Sequence, residues 1–173
     1  EMGPEGLRLD RRGKPIVLRL WSDNSVPEHQ TAAKLIAGWL RKVGVGTRVS
    51  VLDTGVYYDA IWNYEGDTFV PDFDMYLWSW AGYIDAGQNF SCFTTAQIEN
   101  NNEFAWSNEE FDRLDELQMT SLDPYKRAEV VRRMQEVMYE DAPCIVFAHA
   151  YRLEAYRTDK WTGWQRAGYG KGP

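Results

Sequence analysis

The 173-residue chain is the length of one ordinary domain, and 44% apolar residues suffice for a buried core. With 19 basic against 26 acidic residues its formal charge is −7, and no Lys/Arg cluster stands against that background to track a phosphate backbone, so nucleic acid is excluded as an expected partner. No apolar run approaches the roughly 20 residues that cross a bilayer, and Glu1-Met2-Gly3-Pro4 lacks the basic and apolar regions of a signal peptide; the chain as it stands is expected to be soluble and to carry no address.

Leu7 to Pro15 reads as a short extended piece turning at Gly13, and Ile16 to Trp21 as the first strand. Ser25-Val26-Pro27-Glu28 has the pattern of a capping box with proline in the first turn. Ala32, Ile36, Trp39, Leu40 and Val43 then recur on one helical face until Gly44. Thr47 to Leu52 alternates again, and strand, helix, strand at these lengths predicts a right-handed βαβ unit with parallel strands. Tyr57, Ala60, Ile61 and Tyr64 share one face of a second helix, which ends in the polar stretch Glu65-Gly66-Asp67-Thr68. Phe73 to Trp80 reads as another strand, with Phe73, Met75 and Leu77 on one side and Tyr76, Trp78 and Trp80 on the other.

Ala81 to Trp106 shows no sustained period and is long for a structureless connection, so it reads as a functional loop. Ser107-Asn108-Glu109-Glu110 repeats the capping-box pattern before a helix whose buried stripe is Phe111, Leu114 and Leu117. Asp123-Pro124 starts another helix, running through Val130, Val131, Met134, Val137 and Met138 to about Asp141. Cys144 to Ala148 reads as a short buried strand, and Tyr156 to Pro173 has no clear period. The expected fold is α/β, a mixed, mainly parallel sheet flanked by helices, in a single lobe over residues 1–173.

Eight Trp, ten Tyr and seven Phe exceed what a core of this size needs, so some rings are expected to face water or a ligand. Cys92 and Cys144 are too far apart for a zinc knuckle, and His29 and His149 do not sit at ligand spacing from them. Neither a metal nor a cofactor is expected. Whether the two cysteines pair is left open by the sequence.

Several segments, in this order, resemble the second lobe of the extracytoplasmic peptide/nickel/oligosaccharide-binding proteins of ABC transporters, solute-binding protein family 5. The opening Gly6 to Pro15 is similar to the family's hairpin into the first strand of that lobe, and the Ala32 to Gly44 helix to its next element. More specific are Phe73-Asp74 leading into Leu77-Trp78-Ser79-Trp80, Asn108-Glu109-Glu110-Phe111-Asp112, Asp123-Pro124-Tyr125-Lys126-Arg127, Gln135-Glu136 and Asp141-Ala142-Pro143. The resemblance implies lobe II of a periplasmic-binding-protein-like type II fold, hence a fragment of a two-lobed protein whose first lobe is missing here. It also implies an extracytoplasmic location, a small-molecule or peptide ligand captured between the lobes, delivery to an ABC-transporter permease, and no catalysis.

Peptide-binding relatives place an aspartate three positions beyond the tryptophan equivalent to Trp80, where it pairs with the peptide's amino group; this chain has Tyr83 there. A carboxylate facing an ammonium supplies charge as well as a hydrogen bond, so the change tilts the expectation toward an oligosaccharide or another ligand without a free amine. Trp80, Tyr83, Asp85, Gln88 and Asn89 are the expected ligand contacts, with Trp78 packed beneath Trp80. Two rival classes are an enzyme, such as a glycoside hydrolase using two of Glu65, Asp67, Asp72, Asp74 and Asp85, and a free-standing carbohydrate- or protein-interaction module.

Overall fold

A computed structural model describes residues 2–3, 5–80, 85–149, 155 and 157–163. The chain forms two compact units, residues 1–80 with 99–105 and residues 81–98 with 106–173.

In the first unit, β1 (Val17–Asp23), α1 (Pro27–Lys42) and β2 (Gly46–Leu52) form the βαβ unit expected from the alternation of apolar periods. β1 and β2 are parallel neighbours in register from Val17↔Gly46 to Asp23↔Leu52. Before them, Leu9 bridges Pro15 across the turn at Gly13, whose φ of +74° is a left-handed conformation that glycine adopts without steric cost. The Asp10 carboxylate accepts the N–H groups of Arg12 and Lys14 and closes that turn. Next come α2 (Thr54–Ile61), a hairpin of β3 (Tyr64–Glu65) and β4 (Thr68–Phe69), and β5 (Met75–Tyr76), which adds to β1 to give the parallel order β2-β1-β5. Tyr64 therefore leaves the helix face read for it and pairs with Phe69 in the hairpin.

The strand read over Phe73 to Trp80 is shorter, because side chains occupy its ladder groups at both ends. The Arg19 N–H, which would reach a strand carbonyl, donates to Asp74 Oδ2 at 2.7 Å, and the carbonyl of Leu77 accepts the Tyr57 hydroxyl. Only Leu20↔Met75 and Trp21↔Tyr76 pair. Alternation still sorts the faces: Met75 and Leu77 join Leu20 against Ala33 and Ile36 of α1, while Tyr76 and Trp78 meet Tyr57 of α2.

Two expectations for α1 are corrected. Its N-cap is Val26 with no side-chain bond, so the capping box does not form; Asp23 takes the Ser25 N–H instead. The buried face runs through His29, Ala33 and Ile36, whereas Trp39 and Val43 lie on the adjacent stripe with Leu35 and are about half exposed.

The second unit holds α3 (Ala86–Ser91), a 3-10 turn (Thr95–Gln97), α4 (Glu109–Thr120) and α5 (Pro124–Asp141). The stretch read as loop from Ala81 to Trp106 thus contains helix, which Asp85 caps by accepting the Gly87 N–H. The cap of α4 is Asn108, one residue beyond the Ser107 that the pattern marked; its side chain accepts the Phe111 N–H. Asp123 caps α5 as expected, accepting from Tyr125 and Lys126, with Pro124 at the first helical position. The core is Phe111 and Leu114 of α4 with Met134 and Val137 of α5, joined by Phe90, Phe93, Trp106, Val130 and Met138. Leu117 is about half exposed, and Gln118 takes the buried i+7 position from Phe111.

Residues 144–148 form no strand: Ile145 is 80% and Val146 73% exposed. Pairing needs a neighbouring strand edge, and among the described residues this run makes no ladder bond. Neither Cys92 nor Cys144 is in a disulfide, and burial pushes the Cys144 thiol up from its ordinary value.

Candidate functional site

Because β1, β2 and β5 run parallel, their carboxyl ends share one edge of the sheet, the edge where open α/β sheets receive ligands. Asp23 ends β1 there, α1 and α2 both begin there, and the chain after β5 runs along it from Leu77 to Trp80. Asp23 Oδ1 accepts the Ser25 N–H and the Thr54 hydroxyl, each at 2.8 Å, tying β1 to the start of α2. Burial pulls this carboxyl upward, but the bonds from Ser25 and Thr54 outweigh it and hold the group below its ordinary value. His29, in the first turn of α1, bonds Ser79 Oγ through Nε2 at 2.7 Å.

An aromatic cluster floors the same edge. Tyr57 is buried and its ring stacks on Trp78 at 6.4 Å and 13°; Tyr58 meets Trp78 edge-on at 5.5 Å and Tyr76 does so at 6.2 Å. Burial, with the nearby Asp23, pushes the Tyr57 phenol well above its usual range, so it stays a neutral donor to the Leu77 carbonyl. Trp80 lies two residues beyond Trp78 and is 43% exposed. Tyr83 lies outside the described residues.

Asp85, Gln88 and Asn89 belong to the second unit. Asp85 caps α3, and both its oxygens accept from Arg127, Nη1 to Oδ2 and Nη2 to Oδ1, each at 2.7 Å. Arg127 also donates to Gln118 Oε1, from Nη2 at 2.8 Å and Nε at 3.1 Å. The Gln118 amide donates to Asp115, which receives the Ser91 hydroxyl as well. This chain of bonds joins α3, α4 and α5, and the Arg127 guanidinium holds the Asp85 carboxyl below its ordinary value. Gln88 is exposed and Asn89 half-buried on α3.

The carboxylates read as hydrolase candidates are distributed differently from a catalytic pair. Asp72 and Asp74 both bind Arg19, at 2.5 Å and 3.3 Å, and the Arg19 bonds outweigh burial to hold Asp74 low. Glu65 and Asp67 lie on the β3–β4 hairpin, and Asp85 is held by Arg127. A general acid needs a raised pKa, and among the described residues the carboxyl that has one is Glu103, buried and desolvated, which the sequence reading passed over. Among the described residues no three His, Cys, Asp or Glu side chains are grouped to hold a metal ion, and no helix is long and apolar enough to cross a membrane.

Sequence reasoning also missed His29, Asp23 and Arg127. His29 was legible as the residue one turn before Ala33 on the buried stripe of α1. The Arg127 network carried no local signal, since its members lie 9 and 42 residues away in sequence.

The parallel sheet with helices on both faces is similar in fold to solved solute-binding proteins, as the sequence resemblance implied. Among solved structures the chain is similar to NikZ from Campylobacter jejuni in complex with Ni(L-His), at 17% identity and a TM-score of 0.71 over 83% of this chain and 28% of that one. It is similar to a mannohexaose-bound periplasmic oligopeptide-binding protein from Thermotoga maritima, at 24% identity and a TM-score of 0.70 over 83% and 27% of the two chains. The oligopeptide-binding protein AppA from Bacillus subtilis, solved with a nonapeptide, matches at 20% identity and a TM-score of 0.67 over 83% and 27%. The chain thus spans about a quarter of the length of the structures it matches. No protein-family model matches the sequence, and no curated protein matches it.

Proposed function

We propose that this chain is the second lobe of an ABC-transporter solute-binding protein and that the carboxyl edge of its sheet forms one wall of the ligand cleft. The observation that carries this reading is Trp80, a large ring left 43% exposed beyond an aromatic cluster centred on the buried Tyr57, on the edge where α/β sheets bind. A flat ring held on a rigid floor loses little entropy on stacking against a sugar face or a peptide side chain. The ligand is a peptide or an oligosaccharide. A first lobe, carried by a longer protein, supplies the opposite wall, and closure presents the loaded protein to a permease outside the cytoplasm. The chain is a binder, not an enzyme: four of the five carboxylates suggested for hydrolysis are tied to arginines or sit on an outlying hairpin, and the fifth caps a helix while bound to Arg127.

Thermal-shift screening of the full two-lobed protein against peptides, oligosaccharides and Ni(L-His) tests the reading, because a ligand that selects the folded state raises its stability. A saturable upward shift with a peptide or oligosaccharide, lost in Trp80→Ala, is expected. A Trp80→Ala variant that binds as the parent does would move the ligand site elsewhere, and turnover of a glycoside or peptide would remove the non-catalytic assignment.

A further inference from the structure

Three elements of the first unit build the carboxyl edge in layers. Leu20 of β1, Ala33 of α1 and Leu77 after β5 make an apolar layer. One step further along each element, two residues on in the extended segments and one turn back in the helix, stand Ser22, His29 and Ser79. This second layer is polar where the first is apolar. Ser22 is fully buried and His29 is 8% exposed, while Ser79 sits at the exposed rim, directly before Trp80.

The polar layer is incompletely bonded. His29 Nε2 and Ser79 Oγ are 2.7 Å apart, but His29 Nδ1 and Ser22 Oγ are buried and have no hydrogen-bond partner among the described residues. Unpaired buried polar atoms cost stability, so their presence in a core layer calls for a role other than packing. The His29–Ser79 bond joins α1 to the segment that carries Trp80 and, among the described residues, is the one cross-element bond at Ser79.

We propose that neutral His29 is the positioning residue for Trp80, fixing the direction of the ring through Ser79. Protonation places a charge and a second N–H in a buried site where Nδ1 meets no acceptor, which favours release of the Ser79 bond. The charged groups that reach the ring are Asp23 at the end of β1 and Glu28 beside it on α1, and both favour the imidazolium. Burial outweighs them and holds His29 below the ordinary histidine value, so the ring is neutral and the bond intact at neutral pH.

The inference rests on the reading of Trp80 as a ligand platform only for its consequence, and its test needs no ligand. The fluorescence of Trp80, taken as the difference between the chain and its Trp80→Phe variant, is followed from about pH 8 to about pH 5 together with its acrylamide quenching. Acidification is expected to shift the Trp80 emission to the red and raise its quenching, with a midpoint below about 6.5. His29→Gln, whose amide can hold Ser79 but does not titrate, is expected to keep the neutral-pH signal and abolish the transition. Ser79→Ala, a rim substitution that leaves the core layer intact, is expected to show the acid-like signal at all pH values. A Trp80 signal that does not change with pH in the parent chain overturns the proposal, as does an undiminished transition in His29→Gln. Failure of ligand binding in the two-lobed protein would leave these spectra unaffected, which separates the two readings.

Discussion

Gly87→Ala pits helix propensity against the Arg127 network, and the structure says which should win. Gly87 is the second residue of α3, in helical conformation, and alanine there would gain up to ~1 kcal/mol by propensity alone. A Cβ at that position, however, would stand 2.4 Å from Gln118 Oε1, 2.5 Å from Arg127 Nη2 and 2.9 Å from Asp85 Oδ1. These are the ends of flexible side chains, so the backbone need not move; the cost is the bonds they give up. Gln118 is fully buried, and displacing its oxygen from Arg127 leaves an unpaired acceptor, worth ~1–3 kcal/mol. The Arg127–Asp85 pair is about a third exposed on each side and screened, so its loss adds little. The balance is a net destabilisation of up to ~3 kcal/mol. At a urea dependence of ~1–3 kcal/mol per molar the unfolding midpoint falls by roughly 1 M, readable by circular dichroism. In a Gln118→Ala background, where the closest obstacle is gone but Arg127 and Asp85 remain, the same Gly87→Ala change is expected to be less destabilising than in the parent. A midpoint that rises in the parent background would show that propensity prevails and that Gly87 does not face the network as described.

Met134→Ala, which empties a fully buried position between α4 and α5, should cost ~2–5 kcal/mol in the same urea assay. Trp80→Ala should change folding stability by less than ~1 kcal/mol while weakening ligand binding by ~1 kcal/mol or more in calorimetry, because stacking surface and not core volume is removed. Arg127 holds the Asp85 carboxyl below its ordinary value, so the pair's contribution is complete above the ordinary aspartate range and is lost as pH falls through the lower folded value; Asp85→Asn should flatten this part of an acid-unfolding profile. Tyr83→Asp should tilt the two-lobed protein toward ligands with a free amine, measured by competition between a peptide and its N-acetylated form.

The sequence alone was sufficient for the elements whose signals are local. The β-rich run after Gly13, the alternation after Gly44 and the helical stripe between them specify β1, α1, β2 and their parallel pairing, because a crossover of that length has one common hand. Asp123-Pro124 likewise marks the start of α5, since the cap and the proline act within one turn. Trp80 was read as a ring closing a strand, but the strand ends at Tyr76. Tertiary structure decided what depends on partners distant in sequence. The extent of β5 is set by Asp74 taking an N–H of β1 and by Tyr57 taking the Leu77 carbonyl, and alternation records neither bond. Burial of Gln118 in place of Leu117 requires Arg127 from the next helix to satisfy its amide, and the helix within residues 81–106 is held by the same arginine through its cap, Asp85. Ile145 and Val146 carry a strand-like pattern, but a strand exists only where a neighbouring edge accepts its hydrogen bonds, and that condition lies outside any single segment. The bond between His29 and Ser79 spans 50 residues, and only folding the parallel sheet brings the first turn of α1 beside the segment that carries Trp80.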